Sequence, residues 1–210
     1  MSIIGHTILY IHGMGGGADS RIPAILRDNL QDIRVVCRTY DFDPETAHSQ
    51  ISSWLEELKP DIVIGESLGS LHALRIRGVP VILVSPALNT PFYFRILSWV
   101  IWLPGMKWLL GRIYRPREGD RQPLRFTHRV LKKYRSHGTL ALERDADDGY
   151  VYAFFGTRDH YRRSGVVSIR RWENCFGKSY SMYDGTHFME DAHIFSLLIP
   201  LVCKLLYDNK

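Results

Sequence analysis

One pentapeptide in this 210-residue chain has the residue types and spacing of an enzymatic nucleophile: Gly65-Glu66-Ser67-Leu68-Gly69. It follows the apolar run Ile62-Val63-Ile64 and precedes a helix-like stretch from Ser70 to Arg77. A serine between two glycines at a strand-to-helix turn is the setting of a nucleophile elbow. The turn lifts the hydroxyl off the sheet edge, the glycines let the chain turn tightly, and the helix N-terminus beneath favours developing negative charge. At average glycine and serine usage such a pentapeptide arises by chance in roughly 0.07 of chains this long, so its strand-turn-helix context carries most of the weight.

The elements around it read as an alternation. Apolar runs at Thr7–Ile11, Ile33–Tyr40, Asp61–Ile64, Val79–Val84 and Tyr150–Phe155, with a weaker sixth at Ser179–Tyr183, are predicted strands. Helical patterns fall over Arg21–Leu30, Ala47–Leu58 and Met189–Tyr207, the last with Pro200 as a kink. Strands alternating with helices predict a mostly parallel sheet of about six strands covered on both faces. The length fits one domain over 1–210. Between residues 87 and 148 no strand pattern occurs, and a structureless loop of that length is foreign to a compact domain. Short helices leaving the sheet as a cap are expected there.

With these motifs in place, the sequence resembles the α/β-hydrolase superfamily, specifically its small serine-esterase members, over nearly the whole chain. The resemblance implies a three-layer α/β-hydrolase fold with a helical cap insertion. It also implies a serine hydrolase that cleaves a carboxylic ester or thioester through an acyl-enzyme. His12-Gly13-Met14-Gly15-Gly16-Gly17 follows the first strand, where that family places one oxyanion donor. By resemblance the donors would be the amides of Met14 and Leu68. Asp159, in the turn after Phe154-Phe155-Gly156, resembles the family's acid, and His187 in Asp184-Gly185-Thr186-His187 resembles its base. The chain order Ser67, Asp159, His187 is the family's order. Phe92, Trp99 and Trp102 would line the cap for an apolar acyl group; the alternative is that they fill the cap's own small core.

Competing roles exist for neighbouring residues. Asp184 is a second candidate acid, His12 either fixes its loop or exchanges protons, and Glu66 either tunes the site or supports it. Gly13-Met14-Gly15-Gly16-Gly17-Ala18 also fits the GxGxxA form of a dinucleotide fingerprint, with Asp41 or Asp43 as the ribose ligand. That reading leaves Ser67, Asp159 and His187 as coincidences. No GxxxxGK[ST] phosphate loop and no metal-ligand spacing occurs in the sequence, so neither cofactor nor metal is expected.

Charge is uneven. The net charge is +5, yet residues 107–135 hold ten Lys/Arg against Glu118 and Asp120. This block, next to the aromatic stretch, predicts a weak contact with an anionic membrane surface, or an anionic substrate group meeting Arg112, Arg115, Arg117 or Arg121. A non-catalytic binding module on a hydrolase fold is the alternative reading, and no nucleic-acid partner is expected. The longest apolar stretch, Phe92–Leu110, is broken by Arg95, Pro104, Gly105 and Lys107, which argues against a membrane span. An odd number of cysteines (Cys37, Cys175, Cys203) and the lack of a leader-like N-terminus predict a cytoplasmic location.

Overall fold

The computed structural model describes residues 5–114, 118–144 and 148–207. Six parallel strands form one sheet: β1 (His6–Ile11), β2 (Ile33–Cys37), β3 (Ile62–Glu66), β4 (Val81–Val84), β5 (Val151–Gly156) and β6 (Tyr180–Tyr183), in the order β2-β1-β3-β4-β5-β6. Because side chains alternate along a strand, each central strand feeds two cores. Leu9, Ile11, Val63, Leu83 and Phe155 lie in one, and Ile8, Tyr10, Ile64, Val84 and Phe154 in the other.

Helices α1 (Arg21–Asn29) and α10 (Ile199–Tyr207) cover the second core through Ile22, Leu26, Val202 and Leu206. The first core is covered by α2 (Pro44–Leu58), α3 (Gly69–Ala73), α4 (Thr90–Val100), α5 (Met106–Ile113), α6 (His128–Leu142) and α8 (Ile169–Phe176). The short helices α7 (His160–Ser164) and α9 (Asp191–His193) follow β5 and β6. The chain leaves β1 outward to β2 and then returns to β3 on the other side. This reversal of strand order opens a crevice at the carboxyl ends of β1 and β3.

Several boundaries differ from the sequence reading: β2 ends at Cys37 rather than Tyr40, and β4 begins at Val81 rather than Val79. Helix α2 begins earlier, because Asp43 caps it by accepting from the amides of Glu45 (3.0 Å) and Thr46 (3.5 Å), with Pro44 opening the first turn. Helix α3 stops at Ala73, where bonds from Arg75 N–H to His72 O and from Ile76 N–H to Ala73 O tighten the chain out of the α-helix. The expected kink at Pro200 takes the form of a π-helical stretch, Ile194–Leu198, which accommodates the proline's missing N–H and bulky ring.

Within the 87–148 segment the described helices are α4, α5 and α6, and α6 belongs to the layer over the sheet. Leu131, Tyr134 and Ala141 are buried, and the Tyr134 hydroxyl donates to Phe42 O at 2.9 Å. Lys133 pairs with Asp43 at 2.7 Å, joining α6 to the start of α2. Within the described residues no helix is long and apolar enough to cross a membrane.

A column of buried rings runs through the first core. His12 stacks on Tyr40 (4.3 Å between centroids), Tyr40 meets His72 (5.0 Å), and His72 meets His137 (4.5 Å). Burial lowers the pKa of His12 to about 4 and of His137 to about 3, with Arg75 beside His137 adding to the effect. His72 is lowered well below its usual value, by burial first and then by its cationic and imidazole neighbours. These histidines are neutral when folded, whereas in the unfolded chain they take up protons below about pH 6.5. The unfolded state therefore binds more protons between about pH 6.5 and 4, and stability falls on acidification through that window. Each group contributes a slope of up to about 1.4 kcal/mol per pH unit. Urea unfolding followed by circular dichroism should show a steep loss of stability below neutral pH, reduced in His72→Phe. A flat profile would contradict the assignment.

Candidate active site

Ser67 sits directly after β3 with φ +50°, a left-handed conformation that costs a non-glycine residue about 1–2 kcal/mol. Its backbone is fixed on both sides. The Ser67 amide donates to Val84 O (2.9 Å), and its carbonyl accepts from Ser70 (3.2 Å) and Ala87 (3.1 Å). The flanking glycines are needed for close approach. A Cβ on Gly65 would lie 2.7 Å from Ala73 Cβ, and one on Gly69 would lie 2.4 Å from the carbonyl oxygens of both Ile11 and His12. The elbow is thus pressed against the end of β1.

That contact brings the glycine-rich turn alongside the serine. A Cβ on Gly13 would stand 3.1 Å from Ser67 Cβ. The amides of Met14 and Leu68 donate to no protein acceptor among the described residues. His12 Nδ1–H donates to Gly13 O at 2.8 Å, so His12 fixes its own loop. The Tyr40 hydroxyl donates to His12 O at 2.6 Å. Gln122, buried between α5 and α6, clamps the same turn. Its amide donates to Gly16 O (2.7 Å), its Oε1 accepts from Gly15 N–H (3.2 Å), and its Nε2 donates to Tyr40 O (3.2 Å). A Cβ on Gly17 would collide with Asp120 O. The turn expected as an alternative dinucleotide cradle is therefore filled by the protein's own residues 120–122. Of its two candidate ribose ligands, Asp43 is spent on the α2 cap and Lys133, and Asp41 Oδ1 accepts from Asp43 N–H at 2.7 Å.

The structure brings the three expected residues into one hydrogen-bonded line. Ser67 Oγ lies 2.8 Å from His187 Nε2, and His187 Nδ1 lies 2.8 Å from Asp159 Oδ2. Both His187 and Asp159 are buried. With the carboxylate accepting, Nδ1 carries the hydrogen and Nε2 presents its lone pair to the serine hydroxyl. Asp159 Oδ1 accepts from Tyr161 N–H (2.8 Å), as the cap of α7. The rival acid Asp184 is 81% exposed and pairs with Arg158 at 3.1 Å, away from the imidazole. Glu66 accepts from the buried Tyr10 hydroxyl at 2.7 Å. His193 Nε2 reaches Asp184 O.

No known family model and no curated protein matches this sequence. Solved structures do. The monoacylglycerol lipase of Paleococcus ferrophilus is similar at 18% identity and TM-score 0.62, over 95% of this chain and 93% of that one. The open form of a lipase is similar at 14% identity and TM-score 0.67, over 96% and 91%. The enol-lactonase of Burkholderia xenovorans is similar at 16% identity and TM-score 0.56, also over 96% and 91%. The chain has the α/β-hydrolase fold. At these identities the likeness concerns the fold, and the chemistry rests on the residues.

Several residues that organise this candidate site were not singled out from the sequence. The loops after β5 and β6 are joined by Thr157 N–H to Tyr183 O and Arg158 N–H to Gly185 O, each at 2.9 Å. The Tyr183 hydroxyl donates to Thr186 O (2.8 Å), and Glu190 accepts from Thr186 N–H (2.9 Å), so both flank the His187 loop. Tyr161 packs edge-on to the His187 ring at 4.6 Å. Gln122, Glu190 and Tyr161 carry no motif, and only their place in the fold reveals them. Phe92, Trp99 and Trp102 are not enclosed in a small cap core: they are 51%, 71% and 70% exposed. Their ring partners are Tyr93 for Phe92 and His128 for both tryptophans.

Of the arginines expected to meet an anion, Arg121 pairs with Asp19 and Arg112 lies over Trp108, while Arg115 and Arg117 fall outside the described residues. A groove of about 480 Å³ lined by Thr157, Arg158, Arg162 and Arg163 opens beside Asp159. Another depression, of about 410 Å³, around His48, Arg75 and Arg77 shares no residue with the Ser67 line.

Gly69→Ala forces a methyl into the β1 carbonyls and should destabilise the protein by about 1–3 kcal/mol. Gln122→Ala leaves Gly15 N–H without its partner and should cost about 1–3 kcal/mol. Both are measurable by urea unfolding at neutral pH.

Proposed function

We propose that the protein is a serine hydrolase acting on a carboxylic ester or thioester through an acyl-enzyme. The observation that carries this reading is the continuous line Ser67 Oγ, His187 Nε2, His187 Nδ1, Asp159 Oδ2, with 2.8 Å at each hydrogen bond. In this reading Ser67 Oγ attacks the carbonyl carbon as its proton passes to His187 Nε2. Asp159 holds the imidazole in the required tautomer and stabilises the imidazolium. The negative charge that develops on the carbonyl oxygen is taken by the amides of Met14 and Leu68, which have no other protein acceptor among the described residues.

Collapse of the tetrahedral intermediate expels the alcohol or thiol, which takes the proton from His187. Water then gives its proton to the same nitrogen and attacks the acyl carbon. The resulting intermediate collapses to release the acid and return the proton to Ser67 Oγ. The left-handed backbone at Ser67 is consistent with this role, since strained positions persist where a side chain must be presented in one direction.

A fluorophosphonate probe reacts with an activated serine. Intact mass should show one adduct per wild-type chain and none on Ser67→Ala. Asp159→Asn, which disturbs the imidazole tautomer, should lower kcat for a p-nitrophenyl ester by about 10⁴-fold. Asp184→Asn should leave that rate within a few-fold of wild type. Labelling that persists in Ser67→Ala would sink the proposal.

A further inference from the structure

Helices α4 and α5 are apolar on two sides. Their inner side is accounted for: Phe94, Ile101 and Leu110 are buried against the first core. The outer side of these helices and of the turn that joins them carries Ile96, Trp99, Trp102, Leu103, Trp108 and Ile113, each 48–71% exposed. Isolated exposed apolar residues are normal, but a contiguous stripe with three tryptophans on helices already packed from below marks a second surface to be covered.

The segment that carries the stripe has charge of one sign. From Ser67 to Arg117 the sequence contains no Asp or Glu. Arg95 lies over Phe92 at 5.4 Å and Arg112 over Trp108 at 5.5 Å. Neither arginine is in an ion pair among the described residues, whereas Arg21, Arg38, Arg77, Arg121 and Arg158 all are. Two such faces brought together would oppose like charges with no carboxylate between them, which disfavours a second copy as the occupant. The 11-residue α4 and the 8-residue α5 are separated by the Pro104-Gly105 break, with Gly105 at φ +80°, so the stripe can lie on a bilayer but cannot cross one.

We propose that the outer face of α4 and α5 docks on a lipid bilayer bearing anionic phospholipid headgroups. The tryptophans sit at the interface and Arg95 and Arg112 meet the phosphates. This surface is independent of whether Ser67 is a nucleophile, and its test needs no turnover.

The full chain is mixed with vesicles of phosphatidylcholine alone, or with about a third phosphatidylglycerol, and partition is read by co-flotation at low and high salt. The expected result is partition to the anionic vesicles, weakened by salt, with a blue shift in tryptophan emission, since three of the five tryptophans lie in the stripe. Arg95→Gln and Arg112→Gln should each weaken partition about fivefold, and Trp102→Ser with Trp108→Ser about tenfold or more. Lys132→Gln, an exposed cation on α6, should leave it unchanged. Circular dichroism and gel filtration establish that each variant is folded; the arginine variants carry the test alone if the tryptophan pair misfolds. The proposal is overturned by no partition to anionic vesicles, by equal partition to both vesicle types, or by an equal loss with Lys132→Gln. A dimer in solution that the tryptophan variants dissociate would also overturn it, assigning the face to a second copy.

Discussion

The backbone contact between the turn after β3 and the end of β1 is the constraint on which the rest of the site depends. Gly69 lies so close to the Ile11 and His12 carbonyls that no side chain fits between them. The contact exists because the strand order reverses at β1 and β3, leaving two adjacent strand ends from which the chain departs to opposite faces of the sheet. From it follow the presentation of Ser67, the nearness of Gly13, and the arrangement in which the amides of Met14 and Leu68 are left without protein acceptors among the described residues. The strain at Ser67 is offset by hydrogen bonds to Val84, Ser70 and Ala87, which tie the elbow to β4, the start of α3 and the chain beyond β4.

The other half of the site is held by polar groups with defined partners. The loops after β5 and β6 bond to each other along their backbones, Tyr183 and Glu190 hold the Thr186 peptide groups, and Asp159 caps α7 with one oxygen while meeting His187 with the other. Asp159 and His187 are buried, and a hydrogen bond between buried groups resists movement because displacement leaves a donor or acceptor unpaired away from water. The ring column His12, Tyr40, His72 and His137 is different. Burial there keeps the imidazoles neutral, and its contribution is packing beneath the glycine-rich turn.

The segment between β4 and β5 serves both parts of the molecule. Its α6 helix completes a layer over the sheet, and Gln122 reaches from the same segment to clamp the turn that carries Met14. Its α4 and α5 helices contribute to the core from below and present tryptophans above. A segment read as a cap is thus partly a wall of the domain, and its outward side is the least polar surface on these helices.

The local sequence determined much of this protein. Alternating apolar runs specified six strands, since a strand buried on both faces must be apolar at consecutive positions, as Ile62-Val63-Ile64 and Val81-Ile82-Leu83-Val84 are. The glycines around Ser67 and the turn positions of Asp159 and His187 were legible because sharp turns after strands restrict residue type. Element ends were less legible: the Asp43 cap moved the start of α2, and turn bonds cut α3 short. The choice of Asp159 over Asp184 as the partner of His187 was favoured in sequence by the resemblance alone, because both lie near the ends of neighbouring strands. It was decided by which carboxylate the β5–β6 packing buries against the ring and which it leaves paired with Arg158 in solvent. The roles of Gln122, Tyr183 and Glu190 and the outward turn of Trp99 and Trp102 were likewise decided by tertiary structure. Each depends on contacts between segments distant in the chain or on which helix face the core consumes, and neither leaves a local pattern.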